Sequence, residues 1–212
     1  QPNRPPPVGD EAKSHLVRIL TNENDVYNRD GWLFQLISWS VAAHCDANLL
    51  LDAPHPQPSQ KGFDGFFVLL SEDRSSVKSV IFNEDKATEN PRYTITQDVF
   101  PEIEAIEAGR HDSQALGRIT TLLQCAGLDG DVLQSHLESA LWTQRRSYRI
   151  AVATSRESLP PRVCLYSEFD QVASGEPERR MGESLMCVDL REWFQEFVEL
   201  MVTHLADMDR AA

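Results

Sequence analysis

Hydrophobic residues along the chain follow two patterns, continuous runs and stripes at helical spacing. Continuous runs at residues 63–70 and 77–86 predict two central strands, because a strand covered on both faces carries apolar side chains on both. The polar segment between them is short enough for a hairpin. Further strands are predicted at residues 47–51, 148–153, 162–166 and 185–188.

Stripes at three- and four-residue spacing predict helices before and after these strands. Residues 11–20 form a short amphipathic helix, and Asp30 is predicted to cap a second helix that reaches about His44. Three more stripes lie between residues 91 and 141. Asp189 and Glu192 have the spacing of a capping box before the final helix. The polar residues 167–182 are predicted to form a surface loop.

Composition supports a globular protein, since 41% of the 212 residues are hydrophobic and 25% are charged. We predict one α/β domain over residues 11–212, with helices on both faces of a mixed sheet of four or more strands. Residues 1–10 are predicted to be a disordered, proline-rich tail. No apolar segment could cross a bilayer, so a cytoplasmic location is predicted. The four cysteines lack C-x-x-C spacing, which predicts reduced and mostly packed thiols.

Three of the ionisable residues in the two central segments are candidates for a functional site. Asp64 lies near the start of the first run, and Glu84 and Lys86 lie near the end of the second. Strand side chains alternate between faces, so Glu84 and Lys86 point to the same side, and a hairpin would bring Asp64 beside them. Two carboxylates and an ammonium at the edge of a buried sheet can hold a divalent metal and position a water for phosphodiester hydrolysis.

Each of these residues also has an ordinary structural interpretation. Asp64 is followed by Gly65, which is typical of a turn aspartate that bonds to the local backbone. Glu84 and Lys86 are typical of an ion pair at the point where a strand emerges into solvent. The sequence leaves the site and the structural ion pair open as alternatives.

The segment Gly62-Phe63-Asp64-Gly65 and the triplet Glu84-Asp85-Lys86, preceded by a helix, resemble the core of the PD-(D/E)xK nuclease superfamily over residues 30–153. The resemblance implies a restriction-endonuclease-like fold and hydrolysis of DNA with Mg²⁺ or Mn²⁺. It implies that Asp64 and Glu84 bind the metal and that the main-chain carbonyl of Asp85 adds a ligand. It also implies that Lys86 orients or deprotonates the attacking water.

Two auxiliary positions depart from the family pattern. The family often has an acid on the helix before the first strand, where this chain has Gln35, whose amide oxygen is a weaker ligand. A related subset has a glutamine on the helix after the triplet, and Gln97 approximates that position. These departures leave open an alternative, which is a catalytically inactive module that keeps the fold and binds a basic partner protein.

Charge bears on the predicted partners. The chain carries 33 acidic and 20 basic residues, a net charge of −13, which opposes phosphate binding by the surface as a whole. Arg145, Arg146 and Arg149 form a basic cluster that is predicted to contact nucleic acid, with a solvated helix end as the alternative. We therefore expect DNA as the substrate and a companion protein or subunit that supplies basic surface.

These inferences combine into one functional prediction. The chain is predicted to be a metal-dependent nuclease of a bacterial defence or mobile-element system, since many small nucleases of the superfamily act there. Cleavage of both DNA strands favours a homodimer. The non-catalytic interaction module is the alternative from a different functional class.

Overall fold

The computed structural model describes residues 9–54, 64–140 and 145–210 of the chain. Its strands are β1 (Leu49–Leu51), β2 (Gly65–Leu70), β3 (Val77–Ala87), β4 (Arg146–Ser155) and β5 (Arg180–Cys187). Its α-helices are α1 (Asp10–Leu20), α2 (Val26–Cys45), α3 (Pro91–Thr94), α4 (Phe100–Glu107), α5 (Asp112–Cys125), α6 (Gly130–Ala140), α7 (Arg162–Leu165), α8 (Phe169–Val172) and α9 (Leu190–Arg210). A π-helical turn, Ile95–Val99, joins α3 to α4.

The five strands form one open mixed sheet in the order β1-β2-β3-β4-β5. β1, β2 and β3 pair antiparallel, whereas β3–β4 and β4–β5 pair parallel. The short loop after β2 permits only a hairpin, whereas the helical segment between β3 and β4 is long enough for a parallel crossover. The predicted α/β class, with a mixed sheet of four or more strands flanked by helices, is confirmed.

One face of the sheet packs against the helices that follow β3. Phe66 of β2, Phe82 of β3 and Tyr148 of β4 belong to this core, and Phe82 lies 5.2 Å from Phe66 and 5.7 Å from Tyr148 between ring centroids. The helical side of the same core contains buried residues of the π-turn, α4 and α5, among them Ile95, Ile103 and Leu123. These contacts fix β3 between β2 and β4, with apolar cover on this face.

The opposite face packs against α2 and α9. Ala151 and Ala153 of β4 contact a core that contains Leu33 of α2 and Phe194 of α9. Small alanines on β4 allow these two helices to lie close to the sheet. Leu20, at the end of α1, is also fully buried here and closes this layer from the side.

The start of α2 differs from the prediction. Asp30 does not cap the helix, because α2 begins at Val26 and Asp30 lies inside it, fully buried. Its carboxylate accepts hydrogen bonds from Arg29, at 2.8 and 3.0 Å, and from Arg191 of α9, at 2.5 Å. The charge pairing offsets the cost of burying Asp30, so a polar residue that suggested a helix boundary instead joins two helices.

Three predicted elements after β4 differ from the structure. Residues 162–166 are not a strand, since α7 occupies them with Val163 exposed and Leu165 buried. Residues 167–182 are not wholly a loop, because they contain α8 and the first residues of β5. The last strand is longer than the predicted 185–188, since β5 starts at Arg180. Its first half was not predicted because the exposed polar residues Glu183 and Ser184 interrupt the apolar pattern. Such residues are tolerated in an edge strand, which is partly open to solvent.

Asp189 caps α9, because its carboxylate accepts hydrogen bonds of 2.9 Å from the main-chain N–H groups of Arg191 and Glu192. All four cysteines are free, as predicted, but only Cys187 is buried. The predicted tail lies outside the described residues up to residue 8, and α1 begins at Asp10. Across the described ranges, no helix is both long and apolar enough to span a membrane.

We predict that Phe194→Ala strongly destabilises the fold. Phe194 is fully buried between α9 and the sheet, so its removal leaves a cavity that costs about 3–5 kcal/mol of the free energy of unfolding. Urea denaturation measures this loss. Val188→Ala is the matched control, because Val188 is 79% exposed and its truncation should change stability by less than about 0.5 kcal/mol. Equal effects of the two substitutions would contradict the assigned core.

Candidate functional site

Asp64, Glu84 and Lys86 meet where β2 begins and β3 approaches its end. The Nζ atom of Lys86 lies 2.8 Å from Oδ2 of Asp64 and 2.7 Å from Oε2 of Glu84. The side chains of Asp64 and Glu84 are 10% and 9% exposed, and that of Lys86 is 27% exposed. One ammonium therefore bridges two mostly buried carboxylates and keeps a path to solvent.

Strand register explains why these three side chains converge. Gly65 pairs with Asn83, so Asp64, one residue earlier, lies opposite Glu84. Lys86 follows two residues later on the same face of β3. Gly65 leaves room for the side chain of Asn83, because a Cβ atom at residue 65 would lie 3.0 Å from Nδ2 of Asn83. The main-chain N–H of Asp85 also donates to Oδ2 of Asp64, at 3.0 Å.

Helix α2 contributes the fourth member of the site. The amide nitrogen of Gln35 donates a hydrogen bond of 2.6 Å to Oδ1 of Asp64. Both oxygens of Asp64 are thereby engaged, one by Gln35 and the other by Lys86 and the β3 main chain. The amide donor orients the carboxylate. The structure thus brings together Asp64, Glu84, Lys86 and Gln35, as the sequence predicted.

The side chain of Asp85 lies on the other face of β3, so only its main chain borders the site. Arg149 of β4 donates to Ser38 of α2 at 2.6 Å and to Asn83 at 2.7 Å, and lies 3.5 Å from Asp85. Asn83 in turn donates to Asp85. This buried polar cluster fixes the β3 segment that carries Glu84 and Lys86.

Burial and charge act in opposite directions on the ionisable groups of the site. Burial raises the pKa of Glu84 above its ordinary value, although the charge of Lys86 opposes the shift. Burial lowers the pKa of Lys86, but the charges of Glu84 and Asp64 outweigh this effect, so the net shift is upward. Lys86 therefore carries a proton at neutral pH and acts as a cation while both carboxyl groups remain beside it.

Gln97 does not join the site. It lies on the π-turn before α4 with an exposed side chain, and its amide nitrogen contacts the hydroxyl of Thr96 at 3.4 Å. Gln97 instead borders a separate surface cavity, together with Glu104 and Glu168. The predicted auxiliary role of Gln97 has no support in this geometry, because helical spacing after Pro91 directs the residue away from β3.

The predicted arginine cluster is dispersed over three environments. Arg145 is exposed and donates to the main-chain carbonyl of Lys78 at 3.2 Å. Arg146 is buried, donates to the carbonyl of Ile106 at 2.7 Å and pairs with Asp112 at 2.9 Å. Arg149 is 9% exposed and bonds within the buried polar cluster. These residues form no continuous basic surface, because alternation along β4 directs Arg146 and Arg149 to opposite faces.

The sequence analysis did not identify Ser38, Asn83 and Glu183 as partners of Arg149. Glu183 of β5 accepts a hydrogen bond from Arg149 at the solvent side of the cluster. A signal for the cluster was present, because Asn83 and Asp85 are two polar residues on one face of β3, directly after the apolar residues 80–82. Such a pattern indicates a buried polar partner.

A metal cluster or a known relative would each identify such a site. Within the described ranges, no group of three or more His, Cys, Asp or Glu residues is placed to hold a metal ion. No family model, curated protein or solved structure matches the chain. The functional assignment therefore depends on the geometry around Lys86 and on the sequence motif.

We predict that Asp85→Asn alters the pH dependence of stability in metal-free buffer. Burial raises the pKa of Asp85 from 3.8 to about 7, so between these values the folded chain keeps a proton that the unfolded chain has lost. The free energy of unfolding should therefore fall as pH rises through this window, by on the order of 2 kcal/mol. Asn cannot titrate, so the variant should lose the part of the decline that Asp85 contributes, while the part due to the raised pKa of Glu84 remains. Urea denaturation at several pH values tests it, and parallel profiles of the two proteins would contradict it.

Proposed function

We propose that this chain is a metal-dependent nuclease of restriction-endonuclease-like fold that hydrolyses DNA phosphodiester bonds. The observation that carries the proposal is the convergence of the Asp64 and Glu84 carboxylates on the ammonium of Lys86. A mixed sheet with helices on both faces agrees with the fold that the motif implies. The motif residues lie on adjoining strands, as its chemistry requires.

The donor set fits a hard divalent cation. In support, the Lys86 ammonium lies within hydrogen-bond distance of both Oδ2 of Asp64 and Oε2 of Glu84, so the two oxygens face one cationic group. Mg²⁺ and Mn²⁺ bind through one or two carboxylates and retain several waters. Asp64 and Glu84 would hold the metal, and the main-chain carbonyl of Asp85 would be a further oxygen ligand. When bound, such a metal acidifies a coordinated water and stabilises charge on the phosphate.

The protein residues have distinct roles in this proposal. Gln35 keeps Asp64 oriented through its 2.6 Å hydrogen bond. With a divalent ion bound, Lys86 would give up its hydrogen bonds to the carboxylate oxygens, and its ammonium would hold the attacking water by hydrogen bonds. Its 27% exposure and flexible four-carbon chain allow this short movement. The buried cluster of Arg149 and Asp85 keeps the intervening main chain in place.

The substrate must be brought to an acidic protein. With a net charge of −13, the chain needs local basic surface to bind DNA, and Arg146 and Arg149 do not supply it. We therefore propose that a companion protein or a second subunit provides the phosphate contacts. A role in bacterial defence or in a mobile element belongs to the same proposal, since it follows from the family resemblance alone.

A second candidate is the non-catalytic interaction module. Gln35 occupies the position where the family often has an acid, and its amide nitrogen rather than an oxygen points at Asp64. The two carboxylates of the site then share the single ammonium of Lys86, so each has an ion-pair partner without a metal. This observation favours a domain that keeps the fold and acts through protein contacts.

We predict that the full chain nicks supercoiled plasmid DNA with Mg²⁺ or Mn²⁺ and that Lys86→Met lowers the rate by about a hundredfold or more. Methionine keeps the length of the side chain but cannot donate to a water. The matched control is Lys78→Met, because Lys78 is an exposed lysine on the same strand and its loss should leave cleavage unchanged. Gel electrophoresis measures the nicking rate.

Calorimetric titration with Mn²⁺ separates the two candidates. A nuclease should bind Mn²⁺ and lose this binding in Asp64→Asn, whereas a non-catalytic module should take up none. Equal cleavage by the unchanged chain and by Lys86→Met would show that the activity comes from elsewhere. Absence of both cleavage and Mn²⁺ uptake would leave the interaction module as the better assignment.

We predict that Gln35→Glu strengthens Mn²⁺ binding by about tenfold. The new carboxylate would stand next to Asp64 and add a third hard ligand, since the Gln35 amide lies 2.6 Å from Oδ1 of Asp64. In a chelating buffer the same substitution should lower thermal stability, because two adjacent carboxylates repel each other. Gln97→Glu is the control, since Gln97 is exposed outside the site. Unchanged Mn²⁺ affinity in Gln35→Glu would contradict a metal position beside Asp64.

A further inference from the structure

An apolar groove of about 690 Å³ lies between α2 and α9, away from the carboxylate site. Leu36, Ile37 and Val41 of α2 line one wall, and Phe197 and Met201 of α9 line the other. Its size is within the range of ligand pockets, about 300–1,000 Å³. The groove is thus large enough to receive several side chains of a partner.

Exposed apolar residues extend the groove onto the surface. Val41 is 54% exposed in the groove itself, and Leu200, which is 66% exposed, follows Phe197 by three residues on α9. A smaller cavity of about 150 Å³ shares Ile37 and Val41 and continues towards Leu185 of β5. A continuous apolar surface of this kind on a protein is typical of an interaction site.

The groove lining includes Ser40 and His44, and the neighbouring row of α9 carries glutamates. On a helix, Glu192, Glu196 and Leu200 lie four residues apart and form one row along the outer edge of the α9 wall. Both glutamates are exposed. Between residues 26–45 and 190–207 the only lysines or arginines are Arg29 and Arg191, and both of them bond to the buried Asp30. The groove therefore combines an apolar floor with an acidic edge.

We infer that this groove is the docking site for a basic amphipathic helix of a partner protein. A helix fits between two helices when its apolar ridge enters the groove that they form, and lysines or arginines on its flank would face Glu192 and Glu196. A second copy of this chain is a poor occupant, because it would bring a further charge of −13 and the same acidic edge. The inference is independent of the nuclease proposal, since no residue of the carboxylate site lines the groove.

A labelled peptide tests the inference with the full chain. The probe is a helical peptide of about 18 residues, with leucine at core-facing positions and lysine elsewhere. We expect fluorescence anisotropy to show saturable binding. The double variant Val41→Gln with Leu200→Gln should weaken the affinity about tenfold or more, since it makes both exposed apolar positions polar. Val132→Gln is the matched control, because Val132 is a valine on α6 with a similar exposure of 51%, and it should leave binding unchanged.

Peptide controls separate shape from charge. A scrambled peptide of the same composition keeps the charge but has no apolar face, and a version with glutamate in place of lysine keeps the face but reverses the charge. Both should bind at least about tenfold more weakly. Equal binding of the scrambled peptide, or full affinity of the double variant, would overturn the inference. It would also be overturned if sedimentation showed a dimer that the double variant dissociates, since a second copy would then be the occupant.

Discussion

The ammonium of Lys86 is the group on which the carboxylate site depends. Asp64 and Glu84 are mostly buried, and burying two like charges side by side is unfavourable unless a cation lies between them. Lys86 supplies that cation from two residues beyond Glu84, while hydrogen bonds from Gln35 and the Asp85 main chain satisfy Asp64. In the nuclease proposal, the ion pair and the metal site are therefore alternative uses of one arrangement.

The site was largely predictable from sequence because its geometry is local. Strand alternation places Glu84 and Lys86 on one face, and a hairpin with a short loop allows only a few registers, one of which sets Asp64 opposite Glu84. The arginines were mispredicted because adjacency in sequence was taken as adjacency in space. Arg146 and Arg149 point to opposite faces of β4, and their acceptors, such as Ile106 and Ser38, come from distant segments. Long-range pairing of this kind leaves little trace in a single sequence.

The contrast between local patterns and long-range pairing also explains which strands could be predicted from the sequence. β3 and β4 are buried on both faces, so their apolar runs identify them. β5 is an edge strand with polar residues facing solvent, and its membership of the sheet depends on eight parallel pairings with β4 that no local pattern encodes. Asp30 looked like a helix cap because caps and buried ion pairs use the same residue types. Only the position of Arg191, on a helix at the other end of the chain, distinguishes the two roles.

Charge distribution connects the two proposals. Several basic residues are turned inward, where they pair with acids, so the outer surface is left dominated by carboxylates. A nuclease with such a surface needs phosphate-binding charge from another protein, and the groove between α2 and α9 favours a partner that is itself basic. Helix α2 borders both regions, since Gln35 contacts Asp64 while Leu36 and Ile37 line the groove. A basic helix bound there would also contact α2, the helix that carries Gln35, and in the nuclease proposal it would supply part of the positive charge that an acidic chain needs to bind DNA.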